Sequence, residues 1–145
     1  MINNGMPKEV IGIDHGFKNM KTAHSCFPTA LSKLNSLPDD LRGILQFNGA
    51  IYKENGEQLD YIDNSDKTVN DDFYILTLFA LAKEFRARGL TAANVTFATG
   101  LPQRWYENQK NDFQKYLSKH KEIHFKYEGN TYHVYLNDVN VYTQG

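Results

Sequence analysis

Ile11-Gly12-Ile13-Asp14-His15-Gly16-Phe17-Lys18-Asn19-Met20-Lys21-Thr22 is the most informative stretch of the chain. Glu9-Val10-Ile11-Gly12-Ile13-Asp14 is a β-branched run ending in an acid, the pattern of a buried strand. His15-Gly16-Phe17-Lys18 is short enough for a hairpin linker, with Gly16 free to take φ > 0. Asn19 to Ser25 then predicts a second strand. This arrangement puts a carboxylate where a strand ends and a lysine on the returning strand. Turn amides between them can form an anion-binding concavity. Asp14 is suited to a hydrated Mg²⁺, and Lys21 to a point charge beside a phosphate. The same residues also describe an ordinary turn, and on pattern alone both readings stay open.

Working outward, residues 1–8 read as a polar tail, and Cys26 to Leu34 as a further strand that Pro28 confines to an edge or a bend. Asn48-Gly49 between Ile44-Leu45-Gln46-Phe47 and Ala50-Ile51-Tyr52-Lys53 is a strong hairpin signal. Glu54-Asn55-Gly56-Glu57 reads as another turn, and residues 60–68 as an acidic surface loop. Asn70-Asp71-Asp72 predicts a helix start. The run from Phe73 to Ala82 is apolar nearly all round, so that helix is expected to be buried on several sides, with Gly89 as its stop. Asn94 to Thr99 predicts another buried strand, 107–120 a second helix with the stripe Phe113, Tyr116 and Leu117, and Glu128-Gly129-Asn130 a closing hairpin. The element order predicts a mixed α/β or α+β fold.

Composition bounds the reading. The 145 residues are 41% hydrophobic, 13% aromatic and 23% charged, which argues for a folded domain and against disorder. One cysteine excludes an internal disulfide and a cysteine-built zinc site. Sixteen basic against seventeen acidic residues leave a net charge of −1, without the basic footprint of a nucleic-acid binder. No apolar stretch approaches the ~20 residues of a membrane span. Met1 to Gly5 lacks the features of a signal peptide. The expectation is a cytoplasmic protein with no membrane and no direct nucleic-acid contact.

Ile11 to Gly16 followed by Asn19-Met20-Lys21-Thr22 resembles the first phosphate-binding loop of the actin superfamily, nearest to bacterial actin-like proteins of the ParM/StbA plasmid-segregation type. Phe27-Pro28-Thr29-Ala30, Gly49-Ala50-Ile51-Tyr52 with Gly56-Glu57, Thr99-Gly100-Leu101-Pro102 and Val141-Tyr142-Thr143-Gln144-Gly145 extend the resemblance over nearly the whole chain. It implies the first part of an actin-like domain, an RNase-H-like mixed sheet with flanking helices, spanning 1–145 with 35–69 as a small inserted subdomain. It implies that Asp14 holds Mg²⁺ through water. Gly16, Phe17, Lys18, Asn19 and Lys21 would contact the phosphates of ATP or GTP, and Gln144 would orient the attacking water. The parent protein would be a filament-forming nucleoside triphosphatase that segregates a plasmid or positions phage DNA, partnered by itself and by a DNA-binding adaptor. Two departures stand out: Phe17 and Lys18 replace small or hydroxylic turn residues, and Thr143 replaces a common proline. No second Asp-x-Gly follows Asp14-His15-Gly16, so this piece alone is expected to bind nucleotide weakly and not to hydrolyse it.

The alternative is a non-catalytic protein-interaction module that keeps the fold. A sugar-kinase-like or chaperone-like ATPase is a weaker third reading. His124 and His133 are set to face each other across the last hairpin, as a cross-strand polar pair ahead of a metal site. Cys26 reads as a buried core thiol. Lys110, Lys115, Lys119 and Lys121 read as a solvated helix face, and Trp105-Tyr106 as either an exposed contact or a loop anchor.

Overall fold

Period-two burial begins at residue 8 and builds the chain's longest-range pairings. The computed structural model describes residues 5–16, 18–58 and 71–144, with the backbone alone at 57–58, 101–106, 108 and 144. Its strands are β1 (Lys8–His15), β2 (Asn19–Lys21), β3 (Cys26–Pro28), β4 (Ala30–Leu34), β5 (Ile44–Phe47), β6 (Ala50–Gln58), β7 (Ala92–Pro102), β8 (Glu122–Tyr127) and β9 (Asn130–Gln144). Two helices, α1 (Asp72–Ala87) and α2 (Gln103–Leu117), complete the described elements. The strands form one mixed sheet in the order β3-β2-β1-β7-β9-β8-β5-β6-β4. The β1/β7 and β7/β9 pairs are parallel, and the remaining pairs are antiparallel.

One feature of this order fixes the shape. β3 and β4 stand at opposite ends of the strand order, yet a single residue, Thr29, joins them. The sheet must therefore curl until its two ends meet. α1 lies in that curl, packed against β1, β2, β4 and β8. This explains a helix with no solvent-facing side over most of its length: every residue from Phe73 to Ala82, together with Glu84 and Phe85, is buried. Among the described residues, no helix covers the other face of the central strands. Ile11, Ile13, Val95, Phe97, Val139 and Val141 point to the helices, whereas Val10 is 64% exposed and Tyr142 56% exposed.

Local chemistry accounts for the turns. The Asn48-Gly49 and Glu128-Gly129 loops take positive φ throughout (50° and 79°, 51° and 81°), as tight hairpins joined by two residues require. Pro28 lies on the edge strand β3, where its missing N–H costs no ladder bond. Gly89, at φ 71°, ends α1.

Several sequence expectations need correcting. Glu54 to Glu57 is no turn. It lies inside β6, where Asn55 at φ 60° bulges the strand and shifts the register against β4. Cys26 is exposed, because alternation along β3 turns Phe27 inward and Cys26 outward. α2 begins at Gln103 rather than 107. Cys26 to Leu34 is two strands, broken at Thr29. The expected loop at 60–68 and Asn70 lie outside the described residues. Asp71 makes no side-chain cap bond at the start of α1. Lys119 is not simply solvated: its ammonium pairs with Asp71 and sits over the Tyr74 and Tyr116 rings at 4.4 and 4.9 Å. Among the described residues, no helix is long and apolar enough to cross a membrane.

The two sheet faces are expected to respond differently to substitution. Phe79→Ala, at a fully buried site, should cost about 3–5 kcal/mol in urea unfolding. Val10→Thr, on the bare face, should stay within about 0.5 kcal/mol. Equal costs would contradict a one-sided core.

Candidate functional site

The β1–β2 hairpin is built from two facing pairs, Asp14 opposite Lys21 and His15 opposite Met20. Alternation sends the two pairs to opposite faces. His15 and Met20 are buried towards α1, while Asp14 and Lys21 are exposed on the bare face. There they line a cleft of about 460 Å³ together with Gly12, Ala98, Gly100, Tyr142 and Thr143. Gly12 and Gly100 present backbone without side chains in this cleft, so a ligand can approach the strands closely.

The buried side of the hairpin is held by polar groups from α1. His15 is 1% exposed and lies between two threonines, with Nδ1 2.8 Å from Thr99 Oγ1 and Nε2 2.8 Å from Thr77 Oγ1. The Thr77 hydroxyl already donates to the Phe73 carbonyl at 2.7 Å. Its oxygen therefore accepts from His15 Nε2–H. About two helical turns further along α1, the fully buried Glu84 receives Thr22 Oγ1 at 2.7 Å and the His24 backbone N–H at 2.9 Å. Arg88 completes the array: it donates to Glu84 at 2.9 Å, to Glu9 at 3.0 Å and to the Val10 carbonyl at 3.0 Å. From Thr77 to Arg88 the helix advances about 16 Å. From His15 back to Glu9 the strand covers about 20 Å. Polar contacts thus fasten α1 along the length of β1.

The turn itself is fastened from the β3–β4 junction. Thr29 N–H donates to the Lys18 carbonyl at 2.8 Å, and Thr29 Oγ1 donates to the Gly16 carbonyl at 2.7 Å. Gly16 does not take positive φ. Its requirement for glycine is one of space, since a Cβ there would lie 2.4 Å from the Asn19 carbonyl oxygen.

The structure brings Asp14, Lys21 and Thr143 to one cleft, with Gln144 next in the chain and paired through its backbone to Pro102. Gly16, Lys18 and Asn19 are not among the residues lining it. Phe17 and the side chains of Gln144, Trp105 and Tyr106 lie outside the described residues. Sequence reasoning missed His15, Thr29, Thr77 and Glu84. Glu84 carried the one available signal, the single acid of α1 beyond its first turn.

Residues 12–145 match the family described as Actin like proteins N terminal domain, and the chain belongs to that family. No curated protein sequence matches it. Among solved structures, the apo ParM protein of psk41 superposes with a TM-score of 0.72 at 17% identity, over 94% of this chain and 50% of that one. The AlfA filament bound to AMPPNP gives 0.67 at 21% identity, over 95% and 55%. Ta0583, an archaeal actin homolog, gives 0.70 at 14% identity, over 94% and 46%. The chain spans about half the length of these structures, and its mixed α/β architecture is that of the actin-like fold.

Glu84 makes the hairpin's support sensitive to acid. Burial pushes its carboxyl upward, but hydrogen bonds from Thr22, His24 and Arg88 outweigh that and hold it at about 2, against an ordinary 4.5. A carboxylate lowered on folding contributes stability that is complete above its unfolded value and is lost as pH falls through the folded one. Urea unfolding should therefore show stability declining from about pH 4.5 towards 2. Glu84→Gln is expected to cost on the order of 2 kcal/mol at pH 7 and to flatten that acid limb. An equally steep limb in the variant would contradict the assignment.

Proposed function

We propose that this chain is the phosphate-gripping part of a nucleotide-binding, filament-forming protein that acts in plasmid or phage DNA segregation. The observation that carries the reading is the facing pair Asp14 and Lys21, on the bare side of the sheet, lining one cleft with Gly12, Gly100 and Thr143. The donor set suits a magnesium nucleotide. A carboxylate at a strand end is a hard oxygen ligand for a hydrated Mg²⁺, an ammonium across from it is a phosphate contact, and neighbouring glycines leave room for both. Bound there, Mg²⁺ supplies charge neutralisation to the phosphates of ATP or GTP.

In this reading Asp14 orients the metal's water shell and Lys21 holds phosphate oxygens. The turn at Gly16, Phe17, Lys18 and Asn19 offers backbone amides, and Gln144 orients the attacking water. The cleft's work is positioning and electrostatics. Fixed groups are worth most when they need no reorganisation, and the buried bonds to His15, Thr29 and Glu84 supply that rigidity. The chain spans about half the length of its structural relatives, and in this reading the groups that close over the nucleotide belong to the rest of the protein, with hydrolysis requiring both parts. Residues 35–69 form the small inserted subdomain of this scheme. Self-assembly into filaments and a DNA-binding adaptor complete it, in the cytoplasm. The AlfA structure, a filament bound to AMPPNP, supports both the nucleotide and the polymer.

The test uses the full-length protein. A hydrogen bond to a charged group contributes about 1.5–3 kcal/mol. Lys21→Ala should therefore weaken Mg-nucleotide binding by about 10- to 100-fold. Asp14→Asn should abolish the magnesium dependence of binding, along with nucleotide-dependent sedimentation of filaments. Unchanged affinity and polymerisation in both variants would overturn the proposal and favour the interaction-module reading.

A further inference from the structure

Far along β9 from the cleft, the same bare face carries a second cluster of metal-binding side chains. β8 and β9 pair His124 with His133 and Glu122 with Tyr135. The His133 N–H donates to the Thr91 carbonyl at 2.9 Å, away from β8, so His124 and His133 form a non-hydrogen-bonded pair. Side chains of antiparallel strands come closest at such pairs. The two imidazole centroids are 3.7 Å apart. Both Nε2 atoms meet one carboxylate oxygen, Glu122 Oε1, at 3.1 Å from His124 and 2.8 Å from His133. One ligand atom from each of the three residues lies within 4.8 Å of the others.

We infer that Glu122, His124 and His133 form a site for a divalent transition-metal ion of the zinc class. Zinc binds imidazole nitrogen at about 2.0–2.1 Å and carboxylate oxygen at about 2.0–2.2 Å. Ligand atoms around a tetrahedral ion are therefore about 3.3 Å apart. The two nitrogen-to-oxygen distances here, 3.1 and 2.8 Å, are already close to that spacing. Two imidazoles and a carboxylate are also the donors zinc prefers, while magnesium and calcium select oxygen. The backbone organises the set before any ion arrives. A two-residue turn fixes the register, and Ile123, Phe125, Tyr132 and Val134 bury the opposite face of the hairpin.

An ion held by these three groups would be open to solvent on one side. The His124 and Glu122 side chains are 58% and 50% exposed, against 24% for His133, so a fourth position is free for water or a donor from another molecule. Along β9 the site is about 30 Å from Tyr142 in the cleft. It is thus separate from the proposed nucleotide site and calls for a softer metal than Mg²⁺.

The test is titration of the full chain with Zn²⁺ against a chromophoric chelator, with the melting temperature followed in parallel. One equivalent is expected to bind and raise the melting temperature. His124→Gln and His133→Gln should each weaken binding at least tenfold, and the double variant should abolish the thermal shift. All three ligand side chains are at least partly exposed, and circular dichroism will show whether the variants keep the fold. Cys26→Ser, which removes an exposed thiol elsewhere, should leave the affinity unchanged. Equal Zn²⁺ affinity in wild type and double variant, or a loss on Cys26→Ser alone, would overturn the assignment.

Discussion

The structure depends on a helix buried on all sides that still carries polar groups on the side facing β1 and the hairpin. α1 fills the curl of the sheet, and an interior helix ordinarily gains nothing from hydroxyls and carboxylates. Thr77 and Glu84 are tolerated because each is fully partnered, Thr77 by His15 and the Phe73 carbonyl, Glu84 by Thr22, His24 and Arg88. Of these partners, His15 lies at the end of β1 just before the turn, and Thr22 just after β2. Hydrophobic burial alone would hold α1 in the curl but would leave its rotation and sliding loosely defined. The polar bonds set both, and with them the register of the hairpin.

Strand alternation carries that constraint through to the other face. Fixing His15 inward fixes Asp14 outward, and fixing Thr22 at the hairpin's exit leaves Lys21 on the cleft side. Slipping the register by one residue would exchange the two faces and bury the charges. Burying a charge without a partner is costly enough that the slipped form is disfavoured from both sides. The polar residues inside and the charged residues outside therefore specify the same arrangement. The last hairpin follows the same logic: apolar residues on its inner face hold Glu122, His124 and His133 together on its outer one.

Much of this is legible in the sequence where the physics is local. The Asn48-Gly49 and Glu128-Gly129 turns, the stop at Gly89, the nearly all-round apolar run from Phe73 to Ala82 and the pairing of His124 with His133 all follow from residues close in sequence or in strict alternation. The family motifs are legible too, since Thr143 lies far in sequence from Asp14 and Lys21 yet shares one cleft with them. Contacts between distant residues leave no such pattern. Nothing near His15 announces Thr99, and nothing near Gly16 announces that Thr29 ties its carbonyl. Gly56 was misread for a related reason. A glycine after a positive-φ asparagine marks a turn or a bulge equally well, and only the pairing of β6 with β4 decides between them.

The central claim is that α1 holds the hairpin, and hydrogen exchange measures it most directly. Thr77→Val and Glu84→Gln each remove one hold while preserving side-chain size. The account predicts that amides of residues 14–22 lose protection selectively in both variants, while those of β8 and β9 keep theirs. Uniform loss across the sheet, or no change at the hairpin, would contradict it.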